Sequence, residues 1–138
     1  RVVGRIPPEV LRQAALDAVR PEVGWTVPLA FLGFSQGASM AWRAALLAGH
    51  GGAPPPKVVA LAGDIPPELA GHQGPFPEHV LLAHGDQDEW YTREKLAADI
   101  QLLQTKVVHP QTLTFAGGHA WTDDFRQAAG AFLQPTTS

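Results

Sequence analysis

Gly33-Phe34-Ser35-Gln36-Gly37 joins a short apolar run, Val27 to Leu32, to a stretch of small and apolar residues, Gln36 to Ala48. A serine flanked by glycines two positions away on each side is the pattern of a tight strand-to-helix turn. Such a turn strains the serine backbone and pushes its Cβ outward. Gly33 and Gly37 are read as positions where a Cβ would clash with neighbouring backbone. Ser35 then stands at a helix N-terminus, where the dipole favours developing negative charge. The Gln36 N–H is placed to donate to an oxyanion. The run from Val27 reads as a buried strand. The Gln36 to Ala48 stretch, apolar on most sides, reads as a buried helix with Gly49 as its C-cap.

Working outward, Pro7-Pro8-Glu9 opens a predicted helix with an apolar face of Val10, Leu11, Ala14, Ala15, Ala18 and Val19, ended by Pro21. Gly51 to Pro56 is a loop, and Lys57 to Ala62 a second buried strand. Gly63 to Pro77 is a Pro/Gly-rich connection with one short helix, Pro66 to Ala70. Val80 to Ala83 is a third strand. Thr92 is the N-cap of a helix through Gln104, with Leu96, Ile100 and Leu103 inward. Gln111 to Phe115 alternates polar and apolar, which suits a strand with one wet face near the sheet edge. Phe125, Ala128, Ala129 and Phe132 recur at helical spacing, so the last helix runs from about Thr122 to Leu133 before Pro135 and a polar tail. Continuous apolar strands alternating with helices predict an α/β fold: one domain with a mostly parallel sheet and helices on both faces.

A hydroxyl needs a base within hydrogen-bond reach before it becomes a nucleophile. His119 follows Phe115-Ala116-Gly117-Gly118 directly after the last strand, where a short loop can carry a base to a neighbouring turn. His84-Gly85-Asp86-Gln87-Asp88 follows the third strand, and its acid, Asp88 or Asp86, would accept from His119 and stabilise the imidazolium. Asp123 and Asp124 fall in a first helical turn, where acids serve the dipole, and are read as structural. Asp64 is a weaker candidate acid, better explained as a turn residue. His84 is expected to order the acid loop through a hydrogen bond. The other histidines, His50, His72, His79 and His109, show no metal-ligand spacing. Phe34, Trp90, Tyr91 and Trp121 lie beside the nucleophile, acid and base positions, and are assigned as an aromatic wall for an apolar acyl or aryl group.

Composition narrows the field. With net charge −3 there is no electrostatic case for nucleic acid, and no apolar run approaches the length of a membrane span. The absence of cysteine excludes disulfides, thiolate metal sites and a cysteine nucleophile. No cofactor and no metal are expected, and a cytoplasmic location is assigned.

Taken together, the three motifs resemble those of the carboxylesterase/phospholipase/acyl-protein thioesterase group of α/β-hydrolases. The Gly33–Gly37 turn followed by a small-residue helix is close to that group's nucleophile elbow. His84-Gly85-Asp86-Gln87-Asp88 resembles its H-G-x-x-D acid loop, which selects Asp88, and Gly117-Gly118-His119 resembles its G-G-H base loop. The chain order Ser, Asp, His is that of the same superfamily. The resemblance implies Ser35 as nucleophile, Asp88 as acid, His119 as general base, and cleavage of small carboxylic esters through an acyl-enzyme. A thioesterase, a small-lactone hydrolase and a catalytically silent hydrolase-fold scaffold are the alternatives. Family members carry further strands before the elbow, including the loop that gives a second oxyanion N–H, and no H-G-G or L-x-G loop precedes Ser35 here. The chain is therefore expected to match the C-terminal part of the fold. Missing N-terminal sequence or self-association would complete its sheet. Trp90 and Tyr91 replace the small residues usual after the acid, which reshapes the pocket.

Overall fold

Four apolar segments form the sheet: β1 (Ala30–Phe34), β2 (Lys57–Leu61), β3 (Val80–Gly85) and β4 (Gln111–Phe115). All neighbours pair in parallel, in the spatial order β1-β2-β3-β4. The computed structural model describes residues 29–48 and 56–134. Every residue of β3 is buried, as are Val58 to Leu61 of β2. Strands buried on both faces show no polar alternation, hence their continuous Val/Leu/Ala runs. β4 keeps Gln111, Thr112 and Thr114 exposed and buries Phe115, as its alternation predicts for the sheet edge. β1 is the other edge strand among the described residues, with Ala30 and Leu32 exposed.

Three helices pack against this sheet: α1 (Gln36–Ala48), α2 (Arg93–Thr105) and α3 (Asp123–Leu133). α1 buries Ala38, Ala41, Trp42, Ala45 and Leu46 against β1 and β2, and α3 buries Phe125 and Ala129 beside β4 and β3. Side-chain caps start two of the helices. Thr92 accepts from the Lys95 N–H and Thr122 from the Phe125 N–H, each worth about 1 kcal/mol. Lys57 on β2 donates to the carbonyls of Phe132 and Gln134, placing a cation at the negative end of α3. α2 ends in a Schellman motif: the Val108 N–H reaches the Leu103 carbonyl and the Val107 N–H the Gln104 carbonyl. Val107 holds the left-handed position there, at φ 61°, which glycine usually takes.

The first helix read from the sequence, Pro7 to Arg20, lies outside the described residues, as do Val27, Gly49, His50, residues 51–55 and the tail from Pro135. Elsewhere the elements fall where the pattern places them, with small shifts. β1 runs through Phe34 rather than stopping at Leu32, and β3 extends to Gly85. The short helix is a 3-10 turn, Pro67–Gly71. Ala62, read as the end of the second strand, leaves β2 at φ 55°.

Candidate active site

The carboxyl ends of the strands carry the chemistry. Ser35 follows β1 directly and adopts φ 58°, a left-handed conformation that costs a non-glycine residue about 1–3 kcal/mol. It is held there from both sides: its N–H continues the ladder to the Leu61 carbonyl, and its carbonyl accepts from the Ala38 N–H as α1 begins. A Cβ on Gly33 would lie 2.0 Å from the Gly37 carbonyl oxygen, so no larger residue fits at that position. Gly37 is different from the expectation. A Cβ built there meets nothing within 4 Å, so it is Gly33 alone that the turn requires to be bare. A third glycine does what Gly37 was thought to do. Gly63, just past β2, approaches so closely that its Cβ would lie 2.2 Å from the Ser35 carbonyl oxygen.

His119 reaches Ser35 from the far edge of the sheet. Its Nε2 is 2.9 Å from Ser35 Oγ, and its Nδ1 is 2.8 Å from Asp88 Oδ2. A carboxylate only accepts, so the proton sits on Nδ1 and Nε2 accepts from the serine hydroxyl. The other oxygen of Asp88 accepts from the N–H groups of Trp90 (2.8 Å) and Tyr91 (2.9 Å). Burial alone would raise the Asp88 carboxyl. The bonds from Tyr91, His119 and Trp90 outweigh it and hold Asp88 below the usual carboxylate range. The site therefore keeps a buried anion directly behind the imidazole.

Asp86, the other acid in the motif, has a different task. Its carboxylate accepts from the Gly117 N–H at 3.0 Å, its N–H donates to the Phe115 carbonyl, and the Gln87 N–H donates to the Gly117 carbonyl. Gly85 lets the loops meet: its Cβ would lie 2.3 Å from the Gly117 oxygen and 2.4 Å from that of Gly118. The acid and base loops are thus stitched together two residues before Asp88 and two before His119. His84 supports the same unit. Its Nδ1 donates to the Tyr91 carbonyl and its Nε2 lies 3.2 Å from Thr114 Oγ1.

A cleft of about 380 Å³ opens beside Ser35, lined by Gln36, Asp64, Trp90, Tyr91, Lys95 and His119 among others. Of the four aromatics assigned to a substrate wall, Trp90 and Tyr91 line it. Phe34 instead packs against the His119 ring at 5.0 Å, and Trp121 lays its indole edge-on to Phe125 at 4.8 Å. Lys95, to which no site role was assigned from sequence, and Asp64, a weaker candidate acid read as a turn residue, both face the cleft. Another unanticipated residue is Asp99 of α2, buried below Tyr91. It accepts from the Tyr91 hydroxyl at 2.6 Å and the Ile65 N–H at 3.4 Å. Burial pushes its carboxyl up to about 6 against the lowering effect of those bonds, and burial beside Asp99 pushes the Tyr91 hydroxyl up. An acid on the same helix face as Leu96 and Leu103, near a tyrosine that needs a buried partner, was the available signal. Among the described residues no group of three or more carboxylates and histidines is arranged to hold a metal, and no helix is long and apolar enough to cross a membrane.

No protein-family model matches the chain, and a search of curated proteins gives no match. Solved structures do resemble it. A variant of SOBER1 from Arabidopsis thaliana superposes with TM-score 0.70 at 16% identity, covering 95% of this chain and 65% of that one. Esterase PE8 gives 0.63 at 26% identity, with 96% and 66% covered. Acyl-protein thioesterase 2 from Zea mays gives 0.66 at 20% identity, with 96% and 68% covered. The chain thus spans about 65% of the length of the SOBER1 structure.

Proposed function

The chain carries the α/β-hydrolase fold, and on that fold we propose that it is a serine hydrolase cleaving carboxylic esters through an acyl-enzyme. The observation that supports this most is the unbroken line of hydrogen bonds from Ser35 through His119 to Asp88. Ser35 Oγ attacks the acyl carbon as His119 Nε2 takes its proton, and Asp88 stabilises the resulting imidazolium. The Gln36 N–H, at the start of α1, donates to the oxyanion, aided by the helix dipole. His119 returns the proton to the leaving alcohol. It then takes a proton from water, whose oxygen attacks the acyl carbon, and gives that proton to Ser35 Oγ as the acyl–serine bond breaks, releasing the acid and the free serine. The solved structures named an esterase and an acyl-protein thioesterase support the same chemistry, and a thioester is its close variant.

A fluorophosphonate probe tests the assignment. The protein should be labelled at Ser35, as read by peptide mass, and Ser35→Ala should abolish labelling while the circular dichroism spectrum is unchanged. A folded wild-type protein that stays unlabelled at saturating probe concentration would leave a silent scaffold as the better description.

A further inference from the structure

The cleft beside Ser35 is not a greasy slot. The Asp64 carboxylate enters it from the segment after β2 and the Lys95 ammonium from the first turn of α2. The two heads stand 4.0 Å apart, and both side chains are about half exposed. That gap is too long for a hydrogen bond. The ammonium is nonetheless held in place, and so is the main chain that carries the carboxylate. Lys95 Nζ donates to the Trp90 carbonyl at 2.7 Å, and the backbone beneath the Asp64 carboxylate is fixed where its main-chain carbonyl accepts from Ser39 Oγ at 3.1 Å. Lys95 has three donors and Asp64 has acceptors to spare, so the cleft presents an open donor and an open acceptor side by side. Beside them Trp90 is 72% exposed, an uncommonly large apolar surface to leave in water.

Only some ligand chemistry satisfies both heads. A group that accepts from the ammonium at about 2.8 Å and donates to the carboxylate at about 2.7 Å fits between heads 4.0 Å apart. A hydroxyl does both. A ligand carboxylate would meet Lys95 but be repelled by Asp64, an ammonium would meet the reverse, and an alkyl chain would leave both unused. The Trp90 face suits the C–H side of a hydroxylated carbon skeleton. We propose that the leaving alcohol of the substrate is a neutral polyol, of glycerol or sugar type, with one hydroxyl bridging Lys95 and Asp64. This rests on Ser35 being the nucleophile.

The test compares glycerol monoacetate with propyl acetate, which has the same three-carbon skeleton without the free hydroxyls. Wild-type kcat/KM should favour the glycerol ester about tenfold, the worth of one charge-assisted bond partly open to water. Lys95→Met, which keeps the stem, and Asp64→Ala should each bring that ratio close to one. Using the ratio cancels any general loss of activity. Methyl 6-O-acetyl-glucoside, run alongside, separates a sugar from a glycerol preference. Binding of the same esters to Ser35→Ala, by saturation-transfer NMR, gives the answer without turnover. A ratio near one in both measurements, a ratio unmoved by Lys95→Met, or preference for 3-acetoxypropionate over butyl acetate, which would put a carboxylate of the leaving alcohol on Lys95, would overturn the proposal. Failure of Ser35 to label with the fluorophosphonate would instead count against the nucleophile.

Discussion

Replacing Asp99 with Asn should change how stability depends on pH. In the folded protein the Asp99 carboxyl is raised from 3.8 to about 6 because it is buried below Tyr91. A raised acid binds its proton more tightly folded than unfolded. Its stabilising effect is therefore fully present below pH 3.8 and is lost as pH rises through about 6. Integrating between pH 4 and 7.5 gives a loss of about 2.5 kcal/mol for the wild type from this group alone. Asp99→Asn keeps an oxygen to accept from Tyr91 but cannot ionise. Chemical denaturation of both proteins at several pH values isolates the effect, since every other group cancels in the difference. The variant should gain about 2.5 kcal/mol on the wild type between those limits, mostly between pH 4 and 6. Parallel stability profiles would refute the reasoning, because Asp99 would then pay no desolvation cost when ionised.

Two further expectations concern backbone and loops. Val107→Gly should raise stability by about 1 kcal/mol, or about 4 °C in Tm, because a β-branched residue now holds the left-handed position at the end of α2; thermal unfolding reads it. Asp86→Ala should lower kcat by about tenfold or more with little change in KM, since it unpins the base loop at Gly117 without touching the cleft, and steady-state kinetics on a p-nitrophenyl ester would measure the split.

Much of this arrangement was legible before any coordinates. The strands announce themselves because β2 and β3 are buried on both faces, so their runs Val58 to Leu61 and Val80 to Ala83 are apolar without interruption. Ser35 and His119 are legible because each follows a strand end at a glycine-marked turn. The choice between Asp86 and Asp88 was not readable from residue type, since both are acids on one loop. Only the resemblance favoured Asp88, and the hydrogen bonds give each a separate partner. Gly37 misled because a pattern of two glycines does not say which one is crowded. Phe34 and Trp121 fall outside the cleft lining, since nearness in sequence to a site residue does not fix which way a ring faces. Asp64, Lys95 and Asp99 come from three places along the chain, and their meeting around Trp90 and Tyr91 depends on packing that no local pattern encodes.

Among the described residues the sheet puts Ser35 and His119 beyond its opposite borders, β1 and β4, with β2 and β3 between. Three ladder spacings come to about 14 Å, while four residues pulled straight cover at most about 14 Å. The four that carry the chain from Phe115 to His119 are bent where Gly117 is pinned, so the imidazole and the outward Cβ of Ser35 must make up the remainder. Removing one residue from that bridge would withdraw about 3.5 Å of reach, more than the 2.9 Å link it has to close, so the hairpin of chain over the sheet end tolerates changes of side chain far better than changes of length.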